Sequence, residues 1–260
     1  MLSGKSLVVI GGTTGLGLSG ARAFAAAGAR VVIVGNRPDG VDAALSILGS
    51  AGRGFVADAT DPNAAPQAIA LALQEFGSFD GLYHVAGGSG RRMGDGPLHE
   101  MTDEGWNGTL DLNLTSVMYS NRAAIRQFLS NAEGGVILNM GSVLGFSPSP
   151  RHFATHAYAA AKSGIVGFSK SIAAYYAADN IRVNVVAPAL VETPMAQRAA
   201  SDETIRKFIK TKQPLDGGRI GKPEDLDAAV VFLMSDAARY CTAQVLSVDG
   251  GWSVSEGQEG

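Results

Sequence analysis

Short apolar runs and longer stretches of helical period alternate along the whole chain. The runs SLVVI, RVVIV, GFVA, GLYHV, GVILNM, IRVNVV and QVLSV are rich in β-branched residues and carry apolar side chains on both alternating positions. Runs of that kind suit parallel strands buried on both faces, whereas strands with one face in water read as a strict apolar/polar alternation. Ala- and Leu-rich segments with apolar positions three and four apart separate most of them, which is a βαβ pattern. The pattern predicts an α/β protein with a doubly wound sheet of about seven parallel strands and helices on both faces.

No Pro/Gly/Ser-rich linker, low-complexity tract or fixed-period repeat divides the 260 residues. Residues 1–254 are therefore read as one domain, and SEGQEG at 255–260, which lacks apolar periodicity, as a frayed tail. Two irregular stretches follow strand ends: GGSGRRMGDGPL at 87–98 and LGFSPSPRHFATH at 144–156. Ligands of open α/β sheets bind at that edge, so these stretches, with 193–218, are candidate pocket walls. Phe146, His152 and Phe153 are the side chains expected to form the second wall.

Composition narrows the classes. A net charge of −3 and a pI near 5.8 argue against a nucleic-acid surface, which needs a concentrated excess of Lys and Arg. The most basic segment, RKFIKTK at 206–212, is interrupted by Phe208 and Ile209 and reads as an amphipathic helix with a solvated basic side. Cys241 is the only cysteine, which rules out an intrachain disulfide and a thiolate metal cage. No run of about 18 apolar residues is present to cross a bilayer, and MLSGKSLVVIGG enters an apolar β-like run too soon for a signal peptide. The expectation is a cytoplasmic protein with no membrane partner.

Chemistry concentrates at a few points. Ser6 to Ile10 runs into GGTTGLG and then an Ala-rich helix, the strand–glycine turn–helix arrangement that holds a dinucleotide. Gly11 permits the tight turn, and Gly15 and Gly17 let backbone approach a pyrophosphate at the helix N-terminus. Asp58, closing the third strand, fits either an acceptor for an adenine amine or a turn residue. Tyr158 and Lys162 stand four apart in YAAAK, on one face of a helix. Free tyrosine titrates near 10, and an ammonium about 4 Å away in an effective dielectric of 20 contributes roughly 4 kcal/mol, about three pKa units. A phenol lowered that far exchanges a proton with a carbonyl or alcohol oxygen while hydride moves to or from a nicotinamide. Ser142, at the end of the preceding strand, is placed to hydrogen-bond the reacting oxygen. Asn113 reads as a buried amide or as part of a proton path.

Taken in order, GGTTGLG, VADATD, AGG, LNL, MGSV, YAAAK, VNVVAPALVETPM and VDGG resemble the short-chain dehydrogenase/reductase family over about 245 residues. The resemblance implies a Rossmann-like fold and an NAD(P)-dependent oxidoreductase that interconverts a secondary alcohol and a ketone. The substrate would be a small carbonyl compound of 3-oxoacyl, sugar or other type. It implies Tyr158 as acid/base, Lys162 as its modulator and ribose ligand, Ser142 as oxygen donor, Asn113 in a proton relay and Thr193 on the nicotinamide carboxamide. The candidate cofactor contacts are Gly11, Thr13, Thr14, Gly15, Leu16, Gly17, Asn36, Arg37, Asp58, Ala59, Ala86, Gly87, Pro188, Val191 and Thr193, together with Tyr158 and Lys162. A homotetramer or dimer built on the Ala-rich helices is also implied.

The chain departs from the family pattern at four places. Ile10 replaces a threonine, His84 and Val85 replace two asparagines, Ala189 replaces a glycine, and Ser142 and Tyr158 lie about three residues further apart than usual. The lost asparagine amides put the usual side-chain reinforcement of the central strand in doubt. Gly35 and Asn36 stand where the family often carries an acidic ribose ligand that repels a 2′-phosphate. Arg37 is close enough in sequence to reach such a phosphate, so both cofactors are expected to work, with a modest preference for NADP(H).

Several other patterns point to rival functions. His152 and His156 are four apart, but Pro148 and Pro150 favour loop and no glutamate follows the first histidine, so no metal site is expected. No G-x-S-x-G elbow supports hydrolysis. Arg91 and Arg92 are either solvated loop charges or a meeting point for an anionic substrate. A dinucleotide-binding regulator without turnover would not need Tyr158, Lys162 and Ser142, and a dehydratase or epimerase of the same fold is the alternative within enzymes.

Overall fold

Among residues 1–258, which the computed structural model of the protein describes, the seven apolar runs form seven strands of one sheet. They are β1 (Ser6–Ile10), β2 (Arg30–Gly35), β3 (Gly52–Val56), β4 (Gly81–His84), β5 (Gly135–Met140), β6 (Ile181–Pro188) and β7 (Val245–Val248). Their order is β3-β2-β1-β4-β5-β6-β7, with every pairing parallel. The helices are α1 (Gly15–Ala26), α2 (Pro38–Leu48), α3 (Ala64–Phe76), α4 (Asp103–Leu110), α5 (Ser116–Asn131), α6 (His156–Tyr176), α7 (Gln197–Ser201), α8 (Glu203–Lys212) and α9 (Asp227–Met234). None of them is long and apolar enough to cross a membrane.

Alternate side chains of the inner strands enter opposite cores, whereas the edge strands β3 and β7 leave Val56 and Leu246 exposed. Leu7 and Val9 pack on one face with Phe24 of α1 and Val230 and Leu233 of α9. Val8 and Ile10 pack on the other with Ala68 of α3, Phe128 of α5 and Ala173 of α6. Each such side chain, fully buried, contributes about 1.5–3 kcal/mol, which is why runs apolar at every position are needed. The strand order reverses between β1 and β4, opening a crevice at the C-terminal edge of the sheet. A buried hydrogen-bonded set fixes α5 and α6 to β5. Asn121 and Asn139 exchange amide bonds of 2.9 Å, and Asn139 donates to Ser169 Oγ at 3.0 Å.

A smaller cluster lies beyond the sheet's C-terminal edge: Val143, Ala199, Ile205, Phe208, Ile209, Ile220 and Trp252. Here one sequence expectation needs correction at a single residue. α8 turns Ile205, Phe208 and Ile209 inward and leaves Arg206, Lys207 and Lys210 exposed, but Lys212 is buried instead of joining that solvated basic side. Its ammonium donates to Ser255 O and sits 5.4 Å from the Trp252 ring. In the described part of the tail, Gln258 N donates to Thr211 Oγ1 at 2.6 Å and the Thr211 hydroxyl donates to Gln258 O at 3.0 Å. Residues 259–260 of the expected frayed segment lie outside the described residues.

Candidate active site

A cavity of about 440 Å³ opens at the C-terminal ends of the strands. Its first wall is the glycine turn after β1, where Gly11, Thr13, Thr14, Gly15 and Leu16 line it. Gly11 has φ +87°, and a Cβ there would sit 2.6 Å from Ala86 N, so the turn and the end of β4 meet backbone to backbone. Thr14 begins α1 without a side-chain cap, and no acidic residue occupies the first turn. The free N–H groups and the helix dipole suit an anion there. Gly17 has a packing role that its spacing does not reveal. It does not line the cavity, and a Cβ on it would lie 1.9 Å from Gly11 O. It is the glycine that lets α1 close onto its own turn.

Beyond β2, Asn36 lines the cavity and Arg37 does not. The Arg37 guanidinium is paired with Asp39, Nη2 to Oδ2 at 2.5 Å and Nε to Oδ1 at 3.1 Å, at the start of α2. A carboxylate two residues away has captured the charge that the sequence offered to a phosphate. Beyond β3, Asp58 and Ala59 line the cavity. Asp58 Oδ1 accepts from Thr60 N and Thr60 Oγ1, both at 2.8 Å, which is the turn role.

At the end of β4, Val85 N and Ala86 N both donate to Ile10 O, at 2.8 and 2.9 Å. The reinforcement that the missing asparagines put in doubt is supplied by His84. Its Nδ1 lies 2.7 Å from Ser120 Oγ and its Nε2 3.3 Å from Ser116 Oγ, joining β4 to α5. Burial, helped by the nearby Lys162 charge, pushes its pKa down to about 3, so the ring is neutral. Ala86 and Gly87 line the cavity. Asn113 lies in a π-helical turn, Asp111–Thr115, between α4 and α5. Its Nδ2 donates to Thr109 O and Gly88 O, both at 2.9 Å, and its Oδ1 accepts from Gly88 N at 3.1 Å. The structure thus places it as a buried amide that clamps both sides of Gly88, while it also reaches the cavity wall.

Ser142, two residues past β5, and Tyr158 and Lys162, on α6, meet at the cavity. The Ser142 oxygen accepts from Leu144 N at 3.2 Å, and its hydroxyl faces the cavity with that of Tyr158. Lys162 is 3% exposed and donates to Met140 O at 2.8 Å, with its nitrogen 5.5 Å from the centre of the Tyr158 ring. This differs from the simple ammonium-beside-phenol picture. Burial raises the Tyr158 pKa, opposed by the Ser142 hydroxyl, and burial lowers that of Lys162 to about 7. Removing both groups from water favours the neutral form of each, and a backbone carbonyl holds the lysine nitrogen. Beyond β6, Pro188, Val191 and Thr193 line the cavity, and the Thr193 methyl would be 3.2 Å from a Cβ on Gly15, so the wall after β6 reaches the glycine turn.

Of the expected second wall, Phe153 and Leu144 face the cavity. Phe146 is 46% exposed and does not, and His152 packs behind, its ring centre 5.0 Å from that of Phe208. His156 is exposed at the start of α6. Arg91 lines the cavity and Arg92 does not.

Three groups escaped sequence reasoning. Trp252 backs Phe153 at 5.6 Å and donates from Nε1 to Ser147 O at 2.9 Å, tying the C-terminal segment to the 144–156 loop. Arg198, on α7, also lines the cavity. Asp95, 5% exposed, accepts from Ala157 N at 3.1 Å and Tyr158 N at 3.0 Å. It caps the helix that carries Tyr158 from a distant loop, where the local residue Thr155 supplies no side-chain cap. An isolated aspartate in a glycine-rich loop gives no local sign of that partnership.

Comparison with known proteins agrees with this geometry. A family model described as enoyl-(acyl carrier protein) reductase matches residues 11–253. The chain is 38% identical over 248 residues to the 3-oxoacyl-(acyl-carrier-protein) reductase FabG of Escherichia coli, covering 95% of this chain and 97% of that one. It is 35% identical over 249 residues to the cis-4-hydroxycyclohexanecarboxylate dehydrogenase of Sinomonas cyclohexanicum, covering 95% of each. Among solved structures, a short-chain type dehydrogenase/reductase from Mycobacterium ulcerans superposes with a TM-score of 0.90 at 30% identity, over 98% of this chain and 92% of that one. The 3-ketoacyl-(acyl-carrier-protein) reductase of Brucella melitensis, complexed with NADH, gives 0.86 at 29% identity, over 98% and 100%. The chain belongs to the short-chain dehydrogenase/reductase family and is an NAD(P)-dependent oxidoreductase acting on CH–OH groups.

Proposed function

We propose that the protein interconverts a 3-oxoacyl-type ketone and its secondary alcohol, with Tyr158 exchanging the proton at the oxygen. The observation that carries this reading is the convergence of Ser142, Tyr158 and Lys162 on the wall of one cavity that begins at an uncapped helix N-terminus. The relatives that act on 3-oxoacyl and hydroxycyclohexanecarboxylate substrates support the substrate class.

The residues fit a dinucleotide. Its pyrophosphate would lie on the turn from Gly11 to Leu16, its adenosine near Asn36, Asp58 and Ala59, and its nicotinamide near Pro188, Val191 and Thr193. When bound, the nicotinamide supplies or takes the hydride. The protein's own part is to hold the substrate oxygen between the Ser142 and Tyr158 hydroxyls and to deliver a proton from Tyr158 Oη in the direction of reduction. A phenol kept protonated by burial is suited to donating. Lys162 Nζ, fixed by Met140 O, lies where a ribose hydroxyl and the phenol can share it, and Asn113 holds the loop at Gly88 that closes this side.

On cofactor choice, Asn36 brings no carboxylate to repel a 2′-phosphate, and the exposed Arg37–Asp39 pair costs little to break. Both cofactors therefore serve, with NADP(H) favoured by at most about tenfold. A ratio of kcat/KM for the two cofactors that is unchanged in Arg37→Ala overturns the role of Arg37. The small-residue faces of α5 and α6 support a homo-oligomer, which light scattering on the purified protein tests.

The test of the main reading follows cofactor absorbance with a ketone panel. Tyr158→Phe is expected to lower turnover at least about a thousandfold while cofactor affinity stays within a few-fold. Near-normal turnover in that variant contradicts the assignment.

A further inference from the structure

Two arginines far apart in sequence face the same cavity as Tyr158 and Ser142. Arg91 opens a short 3-10 turn, Arg91–Met93, whose backbone is pinned on both sides: Gly88 is clamped by Asn113, and Asp95 is bound to the start of α6. Arg198 projects from α7, where the next residue, Ala199, is buried against the Phe208–Trp252 cluster. Among the described residues neither guanidinium has an ion pair or a hydrogen bond to protein, in contrast to Arg37, Arg53 and Arg219, whose guanidiniums are all paired with carboxylates.

The charge on this wall runs against that of the molecule. The chain carries a net −3, yet among the described residues the cavity is lined by Arg91, Arg198 and Lys162 and by a single carboxylate, Asp58. Asp58 follows β3, at the far end of the strand order from Ser142 and Tyr158. Partial burial and the charge of Arg198 both hold the Arg91 guanidinium below its ordinary pKa, with Asp95 opposing them. Two like charges on one wall, neither of them in an ion pair among the described residues, repel each other, and an anion between them relieves the repulsion while accepting charge-assisted hydrogen bonds.

We infer that Arg91 and Arg198 form a subsite for an anionic group of the substrate, so that the ketone reduced at Tyr158 carries a carboxylate or phosphate remote from its carbonyl. This rests on the oxidoreductase reading above and adds the substrate's charge to it. The same subsite chemistry serves the carboxylate of a free oxo acid and the phosphates of a thioester carrier arm, and the probes separate the two.

The experiment measures kcat/KM with saturating reduced cofactor for two matched pairs. The first pair is 5-oxohexanoate and its methyl ester, and the second is acetoacetyl coenzyme A and acetoacetyl N-acetylcysteamine. Wild type is compared with Arg91→Gln, Arg198→Gln and the double variant, whose cofactor affinity and melting temperature are also recorded. Both positions are exposed, so the fold is expected to survive. In wild type the charged member of at least one pair is preferred by about thirtyfold or more. Each single variant lowers that preference about tenfold, and the double variant removes it with activity on the neutral partner unchanged. A preference in the first pair assigns a carboxylate, and one in the second alone assigns a carrier phosphate. Equal rates on charged and neutral partners in wild type, or parallel losses on both in the variants, overturn the subsite while leaving the oxidoreductase reading intact. Failure to reduce any of the four compounds, or any ketone of the panel above, overturns both.

Discussion

The glycine turn after β1 and the aromatic wall around Trp252 face each other across one cavity and are built on opposite principles. In the turn, geometry follows from side chains that are absent: Gly11 lies against the backbone of Ala86, and Gly17 lies against the carbonyl of Gly11. In the wall, geometry follows from large side chains that fill a space outside the main sheet, with Phe153, Phe208 and Trp252 meeting edge to face. The turn belongs to the sheet and its two main cores. The wall is a separate cluster assembled from the 144–156 loop, α7, α8 and the C-terminal segment. A site built this way keeps the cofactor end common to a family and lets the substrate end change with a few side chains.

If the two ends are independent, damage to one should spare the other. The largest effect is expected from Trp252→Ala, which empties a position only 1% exposed and should destabilise the protein by about 3–5 kcal/mol. Its KM for ketone should rise with cofactor affinity within about twofold of wild type, read by denaturant unfolding and by fluorescence titration with cofactor. A parallel loss of cofactor affinity would join the two regions into one unit. Gly17→Ala should cost about 1–3 kcal/mol or more through the contact with Gly11 O, and here cofactor affinity should fall first. A variant that melts and binds like wild type would remove the packing role of Gly17.

His84 tests the boundary between the turn and the catalytic residues through pH. Its folded pKa, about 3, is below the ordinary 6.5, so between those values the unfolded chain takes up a proton that the folded chain does not. Stability contributed by the neutral ring is present above pH 6.5 and is lost as pH falls toward 3, with a slope of at most about 1.4 kcal/mol per pH unit. Unfolding of wild type and His84→Asn between pH 4 and 7 should show a shallower slope in the variant. Equal slopes would mean that the buried ring is not the group responsible. The smallest expected effect belongs to Asp95→Asn, which weakens the cap on the catalytic helix. It should lower kcat about tenfold, about 1.4 kcal/mol, with cofactor affinity unchanged. Loss of cofactor affinity with kcat unchanged would show that Asp95 organises the turn side and not Tyr158.

The contrast between the regions also explains what the sequence could reveal. The strands, the glycine turn and the Tyr158–Lys162 pair are written in spacings of two to six residues, so local pattern finds them. The packing of Gly17 against Gly11 O was not legible because spacing does not say which backbone a missing Cβ makes room for. The pairing of Arg37 with Asp39 was not legible because it depends on the entry to α2, not on the end of β2. Trp252 and Asp95 act through partners about 60 to more than 100 residues away, Asp95 with Tyr158 and Trp252 with Ser147, and no local period records such contacts, nor the place of Arg198 on the cavity wall. The lysine–tyrosine relation was legible as a juxtaposition, while its electrostatics depended on burial that only the folded chain defines.

The central claim is that hydride passes between cofactor and carbonyl carbon in this cavity. Its most direct measurement uses reduced cofactor carrying deuterium on the transferring face of C4, incubated with the protein and a ketone that it reduces. The account predicts one deuterium on the carbinol carbon for each cofactor oxidised. Converted product without deuterium, with the labelled cofactor recovered unchanged, would contradict it and point to a dehydratase or epimerase instead.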